Sequence, residues 1–248
     1  MAIISLRNVT KDYTVDEETI VTPLHGLNLE VTHGEFIIII GRSGIGKSTL
    51  LNLAGGLIRP SSGEVYIDDV NLWSLNDKKL SLLRNKKIGF IFQFPSLLPS
   101  LTALENVAFP AFLGPAQEDA YDRATRLLKM MGLGDRMGAY PRQLSAGEQK
   151  RVVVARALIN KPEILLADEP TSDLDERTEQ EVMAMLRDIN QSGVTILMVT
   201  HSSELIGNAT RVLTVDNGAL VSARADKPAD ILSDNSRLNS EVKLPKRR

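Results

Sequence analysis

The sequence predicts an α/β protein: a parallel sheet covered by helices on both sides, with a mostly helical segment inserted into it. Three observations predict it. Residues Phe36–Ile40 form a run of five apolar residues between Gly34 and Gly41, apolar on both faces, as a strand buried in a parallel sheet requires. Short apolar strands return at 163–168, 194–200 and 211–215, and the first two are separated by a helical pattern, the alternation that builds a parallel sheet. Between them, over residues 95–161, helical spacing replaces strand patterning.

The elements follow in order. Residues 3–9 alternate loosely, and 20–31 hold two apolar segments separated by Pro23 and Gly26. After the strand at 36–40 comes a glycine loop and a helix-compatible stretch over 48–57; residues 64–70 and 87–92 read as further strands. Tyr121, Ala124, Leu127, Leu128 and Met131 fall at helical spacing, closed by Gly132 and Gly134. A second helix is predicted over 148–159, stopped by Asn160 and Pro162. Val182, Met185, Leu186 and Ile189 make an apolar helix face, with Gly193 as its stop, and Asn217-Gly218 after the last strand signals a hairpin. Beyond about residue 223 periodicity fades to Ile231, Leu232 and Leu238. Residues 224–248 carry seven basic and four acidic side chains, so they read as a locally basic tail.

Composition narrows the function. The chain has 248 residues, 24% of them charged, and a net charge of −2, the balance of a folded globular protein and not of a dedicated duplex-DNA binder. The absence of cysteine excludes disulfides, thiolate metal sites and cysteine nucleophiles. No apolar run approaches the roughly 20 residues that cross a bilayer. The opening residues lack an apolar stretch followed by a small-residue cleavage site, so no signal peptide is expected. The expectation is a soluble, cytoplasmic chain.

Gly41-Arg42-Ser43-Gly44-Ile45-Gly46-Lys47-Ser48 matches G-x-x-x-x-G-K-[ST] in full and lies between a predicted strand and a predicted helix. Glycines let successive backbone N–H groups curve around phosphate oxygens, and the helix after Gly46 adds its positive end. Lys47 would neutralise the β- and γ-phosphates of a nucleotide, Ser48 would ligate Mg²⁺, and Thr49 would donate to the α-phosphate. Such a loop needs an acid at a neighbouring strand end. The apolar run 164–167 delivers Asp168, suited to hold Mg²⁺ through water, and then Glu169, placed where an attacking water would sit. An aromatic from the N-terminal strands, Tyr13, could stack on the purine; a lone tyrosine is more often a structural surface-edge residue.

These motifs, taken with Leu144-Ser145-Ala146-Gly147-Glu148-Gln149, resemble the ATP-binding-cassette (ABC) ATPases, the last being similar to their signature sequence. Gln93 follows the strand at 87–92 as the family's Q-loop glutamine does. Ser172-Asp173-Leu174-Asp175 resembles the D-loop, and Thr200-His201-Ser202 the switch histidine at a strand end. The resemblance covers about residues 1–220 in the family's order. Phe92-Gln93-Phe94, residues 97–107 and Asp168-Glu169-Pro170-Thr171 are similar to the branch containing macrolide-exporter, lipoprotein-release and cell-division ATPase subunits.

The resemblance implies a P-loop NTPase core with an N-terminal antiparallel β-subdomain over 1–92 and 160–222, a helical signature subdomain over 93–159, and the tail 223–248. It implies a homodimer in which two subunits meet head to tail. Each ATP would then lie between one subunit's Gly41 to Thr49 loop, with Tyr13 on the base, and its partner's Ser145 hydroxyl and Gly147 N–H. Glu169 would position or deprotonate the water, His201 would contact the γ-phosphate, and Gln93 would join Mg²⁺ to the helical subdomain. Taken singly, Ser145 reads as a helix cap, His201 as a strand-end pair with Thr200, and Asp175 as a turn residue.

Two positions depart from the family pattern: Ala146 stands for glycine and Glu148 for glutamine. Alanine is tolerable where φ is negative, and Glu148 is expected to turn away from the nucleotide. The implied partner is a separate transmembrane permease, which would hold the subunit peripherally on the cytoplasmic face of the cell membrane, with the apolar segment 94–112 partly lining the groove that receives it. No nucleic-acid partner is expected, since coiled coils, tandem cassettes and a basic excess are missing. The alternatives are a non-transport ABC ATPase, such as one in a cell-division assembly, and a weakly hydrolysing regulatory subunit.

Overall fold

The computed structural model describes residues 1–16, 19–114, 119–216 and 218–222. The strand at Phe36–Ile40 (β3) is buried at all five positions and runs parallel to two neighbours. With β6 (Ile88–Ile91), β7 (Ile164–Asp168), β8 (Thr195–Thr200), β9 (Arg211–Asp216) and β10 (Ala219–Ser222) it forms a six-stranded sheet of order β10-β9-β3-β8-β7-β6. All pairs are parallel except the β9–β10 hairpin. Of the predicted Asn217-Gly218 turn, Asn217 lies outside the described residues, as do Ile231, Leu232 and Leu238.

Strand pleating divides the apolar residues between two cores. Phe36, Ile38 and Ile40 of β3, Leu165 and Ala167 of β7, and Ile196 and Met198 of β8 face the core shared with the helices of the insertion. Ile37, Ile39, Ile164, Leu166, Leu197 and Val199 face a second sheet. That sheet is antiparallel, of order β2-β1-β4-β5, from β1 (Ala2–Thr14), β2 (Ile20–Thr32), β4 (Ser62–Ile67) and β5 (Val70–Asn71). Helix α1 (Lys47–Ala54) lies in the core between the two sheets, burying Leu50, Leu51 and Leu53.

Several boundaries differ from the sequence expectation. The two segments of 20–31 are one strand, β2, interrupted by register shifts against β1 where Asn8 and Gly26 take φ of 50° and 58°. Pro23 is tolerated because β2 is an edge strand of its sheet. The expected strand 64–70 is a hairpin instead: Asp68 and Asp69, with φ of 46° and 60°, turn β4 back as β5. Two helices were absent from the periodicity, α2 (Asp77–Lys87) and α3 (Ala103–Ala108). The first buries only Leu80 and is specified by its ends, with an Asn76 cap, Asp77 in the first turn and Arg84, Lys86 and Lys87 in the last. The second opens on a Thr102–Glu105 capping box.

The insertion continues with α4 (Ala120–Met130), ended by Gly132 at φ 69°, and α5 (Ala146–Leu158), which starts two residues earlier than expected. Helix α6 (Glu176–Gln191) buries Val182, Met183, Leu186 and Ile189 on the sheet, with Met185 only partly covered. Two close approaches are made possible by glycine. A Cβ on Gly89 of β6 would lie 2.4 Å from the Ala157 carbonyl oxygen of α5, and one on Gly147 would lie 2.6 Å from Thr178 Cγ2 of α6.

Candidate functional site

Because β3 sits between β8 and β9 and β8 beside β7, three strand ends stand together at the carboxyl edge of the parallel sheet. That edge is where open α/β sheets bind ligands. β3 delivers the loop Gly41 to Ser48, β7 delivers Asp168 and Glu169, and β8 delivers Thr200 and His201. They border a cleft of about 520 Å³ lined by Ser43, Gly44, Gly46, Lys47, Ser48 and Thr49, with Gln93, Glu169 and His201 across from them. The sequence expectation missed Val21 and Pro23 of β2, which close its other side. Tyr13 pairs with Val21 in the β1–β2 register and stands at this rim, its hydroxyl 3.5 Å from Thr49 Oγ1 and the Lys11 ammonium 5.2 Å from its ring centre.

The loop's glycines carry its shape. Gly44 and Gly46 take φ of 80° and 106°, and a Cβ on Gly46 would meet the Pro23 carbonyl at 3.0 Å. Gly41, Arg42 and Ile45 do not line the cleft. The first two offer their carbonyls to Lys47 Nζ at 2.6 and 3.0 Å, and Ile45 packs on the core beneath. Lys47 is 7% exposed and lies 3.8 Å from Glu169 Oε1. Burial lowers its pKa, partly opposed by the charges of Glu169 and Asp168.

Asp168 is pushed the other way. Burial raises its carboxyl above the ordinary range, a hydrogen bond from Ser48 pulls it back, and the neighbouring Glu169 raises it further. Its Oδ1 is buried without a hydrogen-bond partner, an expensive state for a carboxylate oxygen. Among the described residues no three His, Cys, Asp or Glu side chains gather as a self-sufficient metal site. One carboxylate with a free oxygen, a serine hydroxyl beside it and an amide across the cleft is instead the donor set for Mg²⁺ that arrives with phosphates, since that ion keeps few protein ligands. The residues fit the metal.

Glu169 is held from several sides. Its φ of 45° is left-handed, which costs a non-glycine residue about 1–2 kcal/mol. Its N–H donates to the Val199 carbonyl at 3.0 Å, and its own carbonyl accepts from the Ser172 N–H and hydroxyl. The side chain then crosses to β8, with Oε2 2.9 Å from His201 Nδ1, while the His201 side chain is 68% exposed at the cleft.

Ser145 and Gly147 stand elsewhere. They border a second cleft of about 530 Å³ with Asp173, Asp175 and Thr178, and it shares no lining residue with the first. Ser145 caps α5: its Oγ accepts from the Glu148 N–H at 3.2 Å, and Glu148 Oε2 accepts from the Ser145 N–H at 2.7 Å. The hydroxyl proton is not used in that bond. Glu148 is turned into the cap and onto Arg136, whose Nε lies 3.0 Å from Oε1. The Ser145 N–H and then Arg136 hold its carboxyl below the ordinary range. Ala146, the first residue of α5, is absent from the positive-φ residues, so its methyl group brings no backbone strain. Asp175 is the cap of α6, accepting from the Thr178 hydroxyl at 2.7 Å and N–H at 3.0 Å.

The ABC transporter family model matches residues 24–172. The lipoprotein-releasing system ATP-binding protein LolD of Pseudomonas syringae pv. tomato is 46% identical over 224 residues, which is 90% of this chain and 98% of that protein. The macrolide export ATP-binding/permease protein MacB of Rhodopirellula baltica is 39% identical over 249 residues, 99% of this chain and 36% of that longer protein. Among solved structures, the ATP-binding cassette MJ0796, a dimer in a post-hydrolysis state bound to ADP and Pi, superposes with a TM-score of 0.82 at 41% identity, covering 90% of this chain and 99% of that one.

Proposed function

The chain belongs to the ABC transporter ATP-binding family and is an ATPase of that class; from that premise we propose that two copies close head to tail around two Mg-ATP and drive a separate transmembrane permease. The observation that carries this reading is the separation of the two clefts. In one chain Ser43, Gly44, Gly46 to Thr49, Glu169 and His201 border the first cleft and would face the nucleotide, while Ser145 and Gly147 border the other cleft and would act on a second chain's nucleotide.

ATP would bind with its phosphates on the backbone N–H groups of the loop and its purine on Tyr13. Lys47 would exchange the carbonyls of Gly41 and Arg42 for the β- and γ-phosphates, and Thr49 would donate to the α-phosphate. Ser48, Asp168 and Gln93 would hold Mg²⁺, which when bound draws charge from the phosphate oxygens. Glu169, anchored through Oε2 on His201, would turn its Oε1 to the attacking water and accept its proton. His201 would contact the γ-phosphate. From the second copy, the Ser145 proton and the Gly147 N–H would meet the same phosphate at the N-terminus of α5. Phosphoryl transfer depends on positioning and charge stabilisation, so divided donors tie hydrolysis to closure.

Among the described residues no helix is long and apolar enough to cross a membrane, so the work would be done on a partner. A groove of about 320 Å³ beside the Gln93 loop is lined by Phe90, Phe92, Leu98, Phe109 and Arg156, and Phe94 nearby is 69% exposed. This surface suits a cytoplasmic segment of the permease and would hold the subunit on the cytoplasmic face of the membrane. The names of the relatives support an export or lipoprotein-release system as the machine served, and a mechanotransmission type is the further form proposed. No nucleic acid is needed in it.

The test is Glu169→Gln. Wild type should hydrolyse Mg-ATP at a rate per chain that rises with concentration. The variant should lose about 10²–10³-fold in turnover and elute as an ATP-bound dimer. Equal, negligible turnover in both, with monomers throughout, overturns the reading.

A further inference from the structure

Lys150 has no part in the chemistry above, yet it is 4% exposed, one of the few deeply buried charges among the described residues. It stands on α5, one turn beyond Ala146. Its ammonium donates to the main-chain carbonyl of Gln93 at 2.5 Å, a contact between residues 57 apart in the sequence. The carboxylates of Asp173, Asp168 and Glu169 are the charges that act on it through space. Burying an ammonium costs several kcal/mol unless it is compensated. A neutral amide could meet the same carbonyl without that cost. What the cation adds is attraction to the acids at the end of β7 and in the loop that follows.

The loop that Lys150 holds is fixed along its length by side chains of the helical insertion. Arg156, also on α5, donates to the carbonyls of Pro95 and Ser96 at 3.0 and 2.8 Å. Asn106, 1% exposed on α3, accepts from the Leu98 N–H and donates to the Leu98 carbonyl. The main chain from Gln93 to Leu98 is therefore tied to α3 and α5, while Gln93 lines the P-loop cleft. Lys150 is the clamp nearest that side chain.

We propose that Lys150 is a positioning residue: by holding the Gln93 carbonyl to α5, it sets where the Gln93 amide stands over the metal position. The proposal rests on the reading that Gln93 reaches Mg²⁺. It acts through Gln93, so its effects and those of Gln93 must not be independent.

Two readouts on the full chain test it. The first is the rate of chymotryptic cleavage after Phe92, at the start of the clamped loop, without nucleotide. Lys150→Met should speed it about tenfold, Lys150→Gln, with a donor on a shorter stem, about threefold, and Lys150→Arg should stay within about twofold of wild type. Lys150→Gln keeps the test open if Lys150→Met does not fold. The second is the Mg²⁺ concentration giving half-maximal ATPase activity at saturating ATP. It should rise several-fold in Lys150→Met and in Gln93→Ala, and no further in the double variant. Cleavage within twofold of wild type in both the Met and Gln variants, or effects that multiply in the double variant, overturns the proposal. If Gln93→Ala alone leaves the metal dependence unchanged, the Gln93 reading fails, and the cleavage result still decides whether Lys150 holds the loop.

Discussion

Glu169 Oε2 lies 2.9 Å from His201 Nδ1, joining residues 32 apart in the sequence at the ends of two adjacent parallel strands. The same Oε2 also accepts from the His201 N–H at 3.3 Å. The imidazole thus fixes the carboxylate before any nucleotide arrives, and a variant should separate that role from contact with the γ-phosphate. His201→Ala is expected to lower kcat about 10²-fold while leaving the Kd for ATP within about threefold. His201→Gln, which keeps a donor, should recover part of the loss. Single-turnover hydrolysis and equilibrium nucleotide binding measure the two quantities, and a loss confined to binding would remove His201 from the chemistry.

Tyr13 tests the rim of the cleft. Its ring is 39% exposed and is positioned by the β1–β2 pairing and by Thr49. Stacking of a base on an aromatic ring contributes about 1–3 kcal/mol. Tyr13→Ala is expected to raise the KM for ATP about tenfold with kcat nearly unchanged, and Tyr13→Phe to behave as wild type. The prediction fails if the alanine variant binds ATP and inorganic triphosphate with the same affinities as wild type.

Glu148 gives a pH dependence. Its pKa is lowered in the folded chain by the Ser145 N–H and by Arg136. A carboxyl with a depressed folded pKa adds stability above its ordinary value of about 4.5 and loses it as pH falls through the folded value. Wild type should therefore melt above Glu148→Gln at pH 7, and the gap should close as pH falls below about 4.5. Thermal melts at several pH values decide it; a gap independent of pH would mean that the charge contributes nothing.

Gly89 tests the packing of the helical insertion on the parallel sheet. With a Cβ 2.4 Å from the Ala157 carbonyl, β6 and α5 cannot keep their present separation. Gly89→Ala should destabilise the fold by about 2 kcal/mol, read from denaturant midpoints at constant slope. Gly138→Ala, where a Cβ would meet nothing within 4 Å, is the control and should cost little.

The parts of this protein that the sequence determined by itself are those made by consecutive residues. The strand at 36–40, its glycine loop and α1 form one continuous turn of chain, so the phosphate cradle is written in eight neighbours. The same locality made Asp168-Glu169 readable as a strand end, and Ser145 to Glu148 as the start of a helix. Elements without an apolar stripe, such as α2, escaped periodicity because their stability resides in caps and terminal charges. The Asp68-Asp69 turn escaped because aspartates, not glycine, take the left-handed backbone there.

Tertiary structure decided the rest, because the order of strands in the sheet is not their order in the chain. Placing β8 between β3 and β7 brings His201 to Glu169 and Glu169 to Lys47. The second sheet adds Val21 and Pro23 to a cleft otherwise built by the first. The depth of α5 makes Lys150, which no sequence motif singled out, a buried clamp on Gln93. Long-range contacts of this kind depend on which faces pack against which, and no spacing of residues along one chain records that.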